Sequence, residues 1–453
     1  MASPARSAVA PAYLFACLLF GGSAQGIWQN ALLQLAGIVV IAWAAASGVS
    51  QPLPRGAKAL LLLAMFAIAV VALQLVPLPP SVWAHGNRAR IAQGYMLLGM
   101  QLPALPLSLT PGQSLSTLLC IIPPLALFCA MARLRADRPI WLAGALVAGT
   151  LLGIMLGALQ VAGSGSGPQW YLYPDTNVGT GVGFFANANH MATLLVVTLP
   201  FLAAIGASGR SRNKQGYSAL LSVIAAVTLL IIVGIAFNRS LAGYLFLLPV
   251  LVASASILVP PGFRVRGWLG ASAALLVIAA LIGLASSSIG GSRIGQDANT
   301  SLRSRSEILK VTGRAIVDYM PFGSGLGSFV EVYPLYESPD AVTPEYVVHA
   351  HDDYAEIAME LGVPGVILML LFLAWWLREI WAAWRGRERG PFAKAAAIAS
   401  AVILVHSIVD FPLRTAAISA LFAMCLALLA DRRTQSPRQD AQDWRPARHV
   451  VIG

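Results

Sequence analysis

Charge is what this sequence lacks most. Only 11% of its 453 residues are Asp, Glu, Lys or Arg, and 19 are acidic. Soluble domains carry about 25% charge, so this poverty excludes a cytosolic enzyme, a disordered scaffold and a secreted disulfide module. Cysteine is scarce too. Cys17, Cys120, Cys129 and Cys425 all lie in apolar runs, which gives neither a disulfide framework nor metal-ligand spacing. Internal repeats are missing, and the only biased tract is the polar tail after Asp431. What is present is apolar: 57% of residues are hydrophobic and the mean hydropathy is +0.73. Such a chain is expected to dissolve in a lipid bilayer. Its net charge of +11 then reports orientation through basic cytoplasmic loops, and nucleic acid is not an expected partner.

A membrane helix needs about 20 mostly apolar residues. Candidate spans fall near 11–26, 28–47, 57–76, 111–131, 139–161, 186–206, 217–237, 241–259, 268–286, 361–384, 392–410 and 414–430. The expected fold is therefore an all-α polytopic membrane protein of about 12 transmembrane helices. Basic clusters at Arg55/Lys58, Arg133/Arg135/Arg138, Arg210/Arg212/Lys214, Arg264/Arg266, Arg385/Arg387/Arg389 and Arg432/Arg433 all fall on one side when the spans alternate. By the positive-inside rule that side is cytoplasmic, as are both termini, and the first span is retained rather than cleaved as a signal peptide. The expected organisation is spans 1–9 in residues 1–286, a long partly helical external segment at 287–360, spans 10–12 in 361–430 and a cytoplasmic tail at 431–453. The external segment holds 11 of the 19 acidic residues and 5 of the 30 basic ones. Helical patterning within it is expected at 304–319 and 346–361.

Ionisable residues inside spans are costly and default to functional, and these spans read as almost free of them. The unusual polar groups cluster at the outer boundary instead: Asn238-Arg239-Ser240 between two spans, Arg303, Arg305 and Arg314 on the first external helix, His349 to Tyr354 before the tenth span, and Asp410 to Arg414 in the last external turn, with His406 one helical turn inside. Gathered around one outward cavity, they fit an anionic phosphate group and a proton acceptor. Arginine donates bidentate, charge-assisted hydrogen bonds to phosphate, and histidine titrates near neutrality. Each also has a plainer reading. Arg239 alone serves equally well as a lipid-headgroup contact, each of Arg303, Arg305 and Arg314 as part of a solvated helical face with Glu307 and Asp318, His351 as a helix cap or the partner of a carboxylate, Asp352 and Asp353 as acids at a helix N-terminus, and Asp410 with Arg414 as an ion pair closing a turn. GSGLGS at 323–328 is no phosphate loop, because no Lys-Ser/Thr follows and no strand precedes it. His349 and His351, two residues apart, face different sides of a helix, so no metal is expected.

The stretch GSGLGSFVEVYPLYE…VVHAHDDYAEIAMELGVPG (323–365) resembles the O-antigen ligase and O-antigen polymerase superfamily. Similar too are GVGFFANANHMATLL (181–195), NRS (238–240), SLRSRSEIL (301–309), HSIVDFPLR (406–414) and QLVPLPPSVW (74–83). The resemblance spans roughly 180–414. It implies a GT-C-like glycosyltransferase of the bacterial inner membrane whose site faces the periplasm. The implied donor is a glycan on undecaprenyl pyrophosphate, and the acceptor is lipid A–core for a ligase or another glycan for a polymerase. The implied chemistry is metal-independent, needs no cofactor and inverts the anomeric centre. The family's paired arginines fall on Arg239 and Arg305, which would hold the pyrophosphate, and its histidine falls on His351, which would be general base. Arg303, His349, Asp352, Asn187, Asn189 and Arg414 are assigned to substrate binding around them. Asp352 replaces the family's usual Asn after the histidine, and the turn reads NRS rather than the commoner Ser-Arg. A ligase is the preferred expectation and a polymerase the alternative. A lipid-linked sugar transporter is a weaker third, because repeated halves and a charged midplane site are not visible.

Overall fold

The computed structural model describes residues 4–23, 26–47, 52–134, 138–163, 169–211, 213–259, 293–339, 342, 346–385 and 389–431. Helices dominate: α1 (Pro4–Phe20), α2 (Trp28–Ala46), α3 (Arg55–Gln74), α4 (Pro111–Arg133), α5 (Pro139–Gly163), α6 (Ala188–Ser208), α7 (Lys214–Asn238), α8 (Leu241–Ala255), α9 (Arg293–Tyr319), α10 (Asp353–Arg385), α11 (Pro391–His406) and α12 (Ala416–Ala430). One two-residue antiparallel pair, β1 (Pro77–Leu78) with β2 (Leu105–Pro106), ties the ends of the excursion between α3 and α4. Eight of the helices are long and apolar enough to cross a membrane, and α1, α11 and α12 are shorter apolar helices. The chain is thus an all-α polytopic membrane protein. The expected span 268–286 lies outside the described residues, as does the tail after Asp431. Large apolar side chains such as Leu62, Met65, Val223, Leu229 and Leu370 are exposed on these helices, as they are where lipid is the solvent.

The core is built around α6, whose residues are nearly all buried. It packs against α11, α8, α7 and α5. Asn187 caps its N-terminus, the side chain accepting from the Asn189 amide at 2.8 Å, and so satisfies one orphan donor of the first turn. Its interior hydroxyls are satisfied locally: Thr193 donates to the Asn189 carbonyl at 2.9 Å and Thr198 to that of Leu194 at 2.8 Å. α11 packs on α6 and is rich in small buried residues, among them Ala395, Ala396, Ala397 and Ala399. Small side chains let two backbones approach where lipid removes any hydrophobic drive to associate.

Two elements position the face that carries the polar residues. α9 is amphipathic: Ile308, Val311, Thr312 and Ala315 are buried at helical spacing and pack with Phe329, Val332, Tyr333 and Met359. The second expected external helix starts later than 346. It begins at Asp353, where Asp352 accepts from the Tyr354 and Ala355 amides at 2.9 and 3.0 Å, so the plainer reading of Asp352 as a helix-terminal acid is what the structure shows. α10 is then broken at Gly362, with φ 62° and ψ −146°. The carbonyls freed by the break are taken by the glycine-rich turn. Ser324 N donates to Met359 O at 3.0 Å, Gly325 N to Glu360 O at 2.9 Å, and buried Gln74 Nε2 to Glu360 O at 3.0 Å.

GSGLGS is therefore a plug that closes a broken helix. Gly325 has φ 109°, and a Cβ there would overlap Ser108. Gly325→Ala is expected to destabilise the protein by about 2 kcal/mol or more, because left-handed strain and a clash add. Thermal unfolding of the detergent-solubilised protein checks this, and an unchanged midpoint would refute the plug.

Candidate functional site

The site is organised by Asp410, which sits fully buried in the turn between α11 and α12. Its Oδ1 faces His351 Nδ1 at 3.2 Å and accepts from the Phe411 amide at 3.0 Å. Its Oδ2 accepts from Asn189 Nδ2 at 2.6 Å and lies 3.9 Å from Arg305 Nη2 and 3.8 Å from His406 Nε2. Burial alone would raise this carboxyl; the His351 hydrogen bond and the charges of the surrounding imidazoles outweigh it and hold Asp410 well below the usual carboxylate range. It is therefore an anion, and an anion has no proton to give. The hydrogen between them is therefore donated by His351 Nδ1, and in the uncharged form of the ring Nε2 is the nitrogen that carries a lone pair. The His351 and Arg305 side chains remain 27% and 25% exposed, so both reach the outside while Asp410 does not.

Backbone conformation marks the same residues. Among the described residues, Arg239 (φ 56°) and His351 (φ 52°) are the two non-glycine positions with positive φ. Left-handed backbone costs a non-glycine residue about 1–3 kcal/mol and persists only where the surroundings over-determine it. Arg239 ends α7, a position where glycine is normally favoured. Asn238 pins the turn, its Nδ2 donating to the Gly181 and Ala188 carbonyls at 3.0 and 2.9 Å. Ser240 Oγ then donates to Asn189 Oδ1 at 2.7 Å. The Arg239 side chain is exposed. His351 is held by Asp410 on one side and by its flanking backbone on the other: Ala350 N donates to Glu356 Oε2 at 2.9 Å and Asp353 N to Ser407 O at 2.9 Å.

A second polar cluster lies behind the first. Arg414 faces Asp353 at 3.4 Å, Glu356 at 3.1 Å and Glu360 at 3.5 Å. Burial works against its charge, but the three carboxylates outweigh it and push the guanidinium further up. The expected Asp410–Arg414 ion pair is therefore absent from this turn. The three-residue helical turn at Pro412–Arg414 sends the two side chains into different clusters. His349 belongs to the inner one, with Nδ1 2.9 Å from Glu356. Phe411 separates the clusters, its ring 4.2 Å from that of His349, 5.0 Å from His351 and 5.2 Å from His190.

The structure thus brings His351 and Arg305 together on one carboxylate and links the Arg239 turn to it through Ser240 and Asn189. The residues assigned to substrate binding are placed differently. Asn187 and Asp352 are helix caps, Asn189 bridges Ser240 and Asp410, and His349 and Arg414 bind carboxylates. The Arg303 side chain lies outside the described residues. Arg314 is exposed and donates to the Tyr336 carbonyl at 2.8 Å, in keeping with its place on a solvated face. Sequence reasoning underrated Asp410 and His406, and passed over His190 and Glu379, both buried within expected spans. The cost of an ionisable group at membrane depth is the signal that finds them. Glu379 is paired with Arg389 at 2.6 Å near the opposite end of α10. Among the described residues no group of three or more His, Cys, Asp or Glu is arranged to hold a metal ion.

Comparison with known families adds one finding. Residues 225–370 match the family model described as O-antigen ligase. The match takes in Arg239, Arg305 and His351; it is narrower than the 180–414 resemblance and leaves out Asn189, His406, Asp410 and Arg414. No curated protein matches the chain.

Proposed function

For a membrane chain whose residues 225–370 carry the O-antigen ligase domain, we propose a ligase-type glycosyltransferase of the bacterial inner membrane. It moves a glycan from undecaprenyl pyrophosphate to a sugar hydroxyl of lipid A–core at the periplasmic face. The observation that carries this reading is the tie between three residues of that domain: Arg305 and His351 share the buried Asp410, and the strained Arg239 turn is linked to the same carboxylate.

The chemistry follows from the groups present. His351 Nε2 removes the proton of the acceptor hydroxyl as its oxygen attacks the anomeric carbon. The bond from that carbon to the pyrophosphate oxygen breaks in the same displacement, which inverts the centre and releases undecaprenyl pyrophosphate. Charge builds on the leaving oxygen, and the Arg239 and Arg305 guanidiniums meet it with fixed positive charge in a half-dry boundary, where such preorganisation is worth most. Asp410 keeps the His351 ring in the tautomer that presents Nε2 and stabilises the imidazolium formed. Arg305 lies at 3.9 Å from Asp410, a long contact that leaves its remaining N–H groups for phosphate oxygens.

The test is reconstitution of the purified protein with an undecaprenyl-pyrophosphate glycan and lipid A–core. A glycosylated lipid A–core is expected. Longer carrier-linked chains made without lipid A–core would identify a polymerase instead, and movement of the carrier without a new glycosidic bond would overturn the enzymatic reading.

A further inference from the structure

Asn189 sits where the two halves of the proposed site meet, and its amide has no freedom to turn around. Asp410 can only accept, so the NH2 group must face it; Oδ1 must then face Ser240, whose hydroxyl donates. The distances are 2.6 Å to Asp410 Oδ2 and 2.7 Å to Ser240 Oγ. A continuous path of direct hydrogen bonds therefore runs from the residue after Arg239, through Asn189 and Asp410, to His351 Nδ1. One end of the path is His351 and the other adjoins Arg239, the two residues held in left-handed backbone. Its midpoint stands in the first turn of α6, the most buried helix of the bundle, directly after the Asn187 cap.

We propose that Asn189 is a positioning residue that sets the spacing between the guanidinium of Arg239 and the imidazole of His351. The inference rests on the function proposed above, in which those two groups act in one displacement on one sugar carbon. Leaving-group charge and hydroxyl proton must be met together, and a misplacement of about 1 Å costs about 100-fold in rate. Asn189 touches neither the sugar nor the pyrophosphate in this scheme. It fixes Ser240 with its oxygen and Asp410 with its nitrogen, so loss of either arm loosens one partner against the other.

The experiment uses the full chain in nanodiscs, with an undecaprenyl-pyrophosphate glycan as donor and lipid A–core as acceptor. Asn189→Ala is expected to lower kcat about 100-fold, with donor KM little changed and the melting temperature near that of the parent. Asn189→Asp places two carboxylates against each other and should fall further. In Asn189→Asp combined with Asp410→Asn, the same contacts form with donor and acceptor exchanged, so kcat should recover above the Asn189→Asp level. Parent-like kcat in Asn189→Ala, or a double variant no better than Asn189→Asp, overturns the inference while leaving the proposed function intact. A kcat loss matched by an equal loss of folded protein assigns Asn189 to stability alone and also overturns it. A parent protein that transfers no glycan overturns both readings.

Discussion

Replacing His351 by alanine is expected to abolish glycan transfer while the protein stays folded and inserted. The argument for loss is chemical. Asp410 engages Nδ1 at 3.2 Å, which leaves Nε2 for the acceptor hydroxyl in the proposed reaction, and removing a general base of this kind costs about 10²–10⁴-fold. The argument for retained folding is structural. The side chain is 27% exposed, and Asp410 keeps its bonds from Asn189 and the Phe411 amide, so no buried anion is orphaned. Transfer measured with a carrier-linked glycan, beside size-exclusion behaviour and melting temperature, separates the two effects. Transfer within tenfold of the parent would remove His351 from the base role. Arg239→Ala and Arg305→Ala should lose transfer as well, but by weakening charge stabilisation on the leaving group, so both should also weaken binding of undecaprenyl pyrophosphate itself.

How much of this was legible in the sequence depends on how local each cause is. The all-α membrane class was, because about 20 apolar residues in a row have few other homes, and so was the Asp352 cap, whose partners lie two and three residues away. The break in α10 was not. Gly362 stands in a run, ELGVPG, that reads as the start of a span, and the break is sustained because the 323–325 turn and Gln74 donate to its loose carbonyls from 35 or more residues away in the chain. Arg239, Arg305 and His351 were found through their motifs, yet what unites them is Asp410, which the same reading paired with Arg414. Two opposite charges four residues apart invite that pairing; only the fold shows that the turn points them to opposite sides of Phe411. The bridge made by Asn189 is hidden in the sequence for a similar reason, since its partners are 51 and 221 residues distant.

Arg414→Ala is expected to be the most damaging substitution to stability, and for a reason unconnected with substrate. Arg414 is the shared cation of Asp353, Glu356 and Glu360, three carboxylates on successive turns of α10 that are all buried. Removing one partner of a buried ion pair costs about 3–5 kcal/mol, because the charge left behind has neither water nor a counter-ion. Here three buried carboxyl groups would lose their shared cation, with His349 beside Glu356 as the remaining basic neighbour. Those carboxylates belong to the half-helix that delivers His351, so the damage should reach the outer cluster even though Arg414 does not touch it. The variant should give little folded protein in detergent, and what folds should melt well below the parent. Arg414→Lys should recover only part of the loss, since one ammonium does not span three carboxylates as a planar fork does. Combining Arg414→Ala with Glu360→Gln removes one of the stranded charges and should raise the melting temperature above that of Arg414→Ala alone. If Arg414→Ala instead melts like the parent and loses only transfer, the residue belongs to the substrate site, as its position in the HSIVDFPLR stretch first indicated, and the carboxylate cluster is not what holds the half-helix in place.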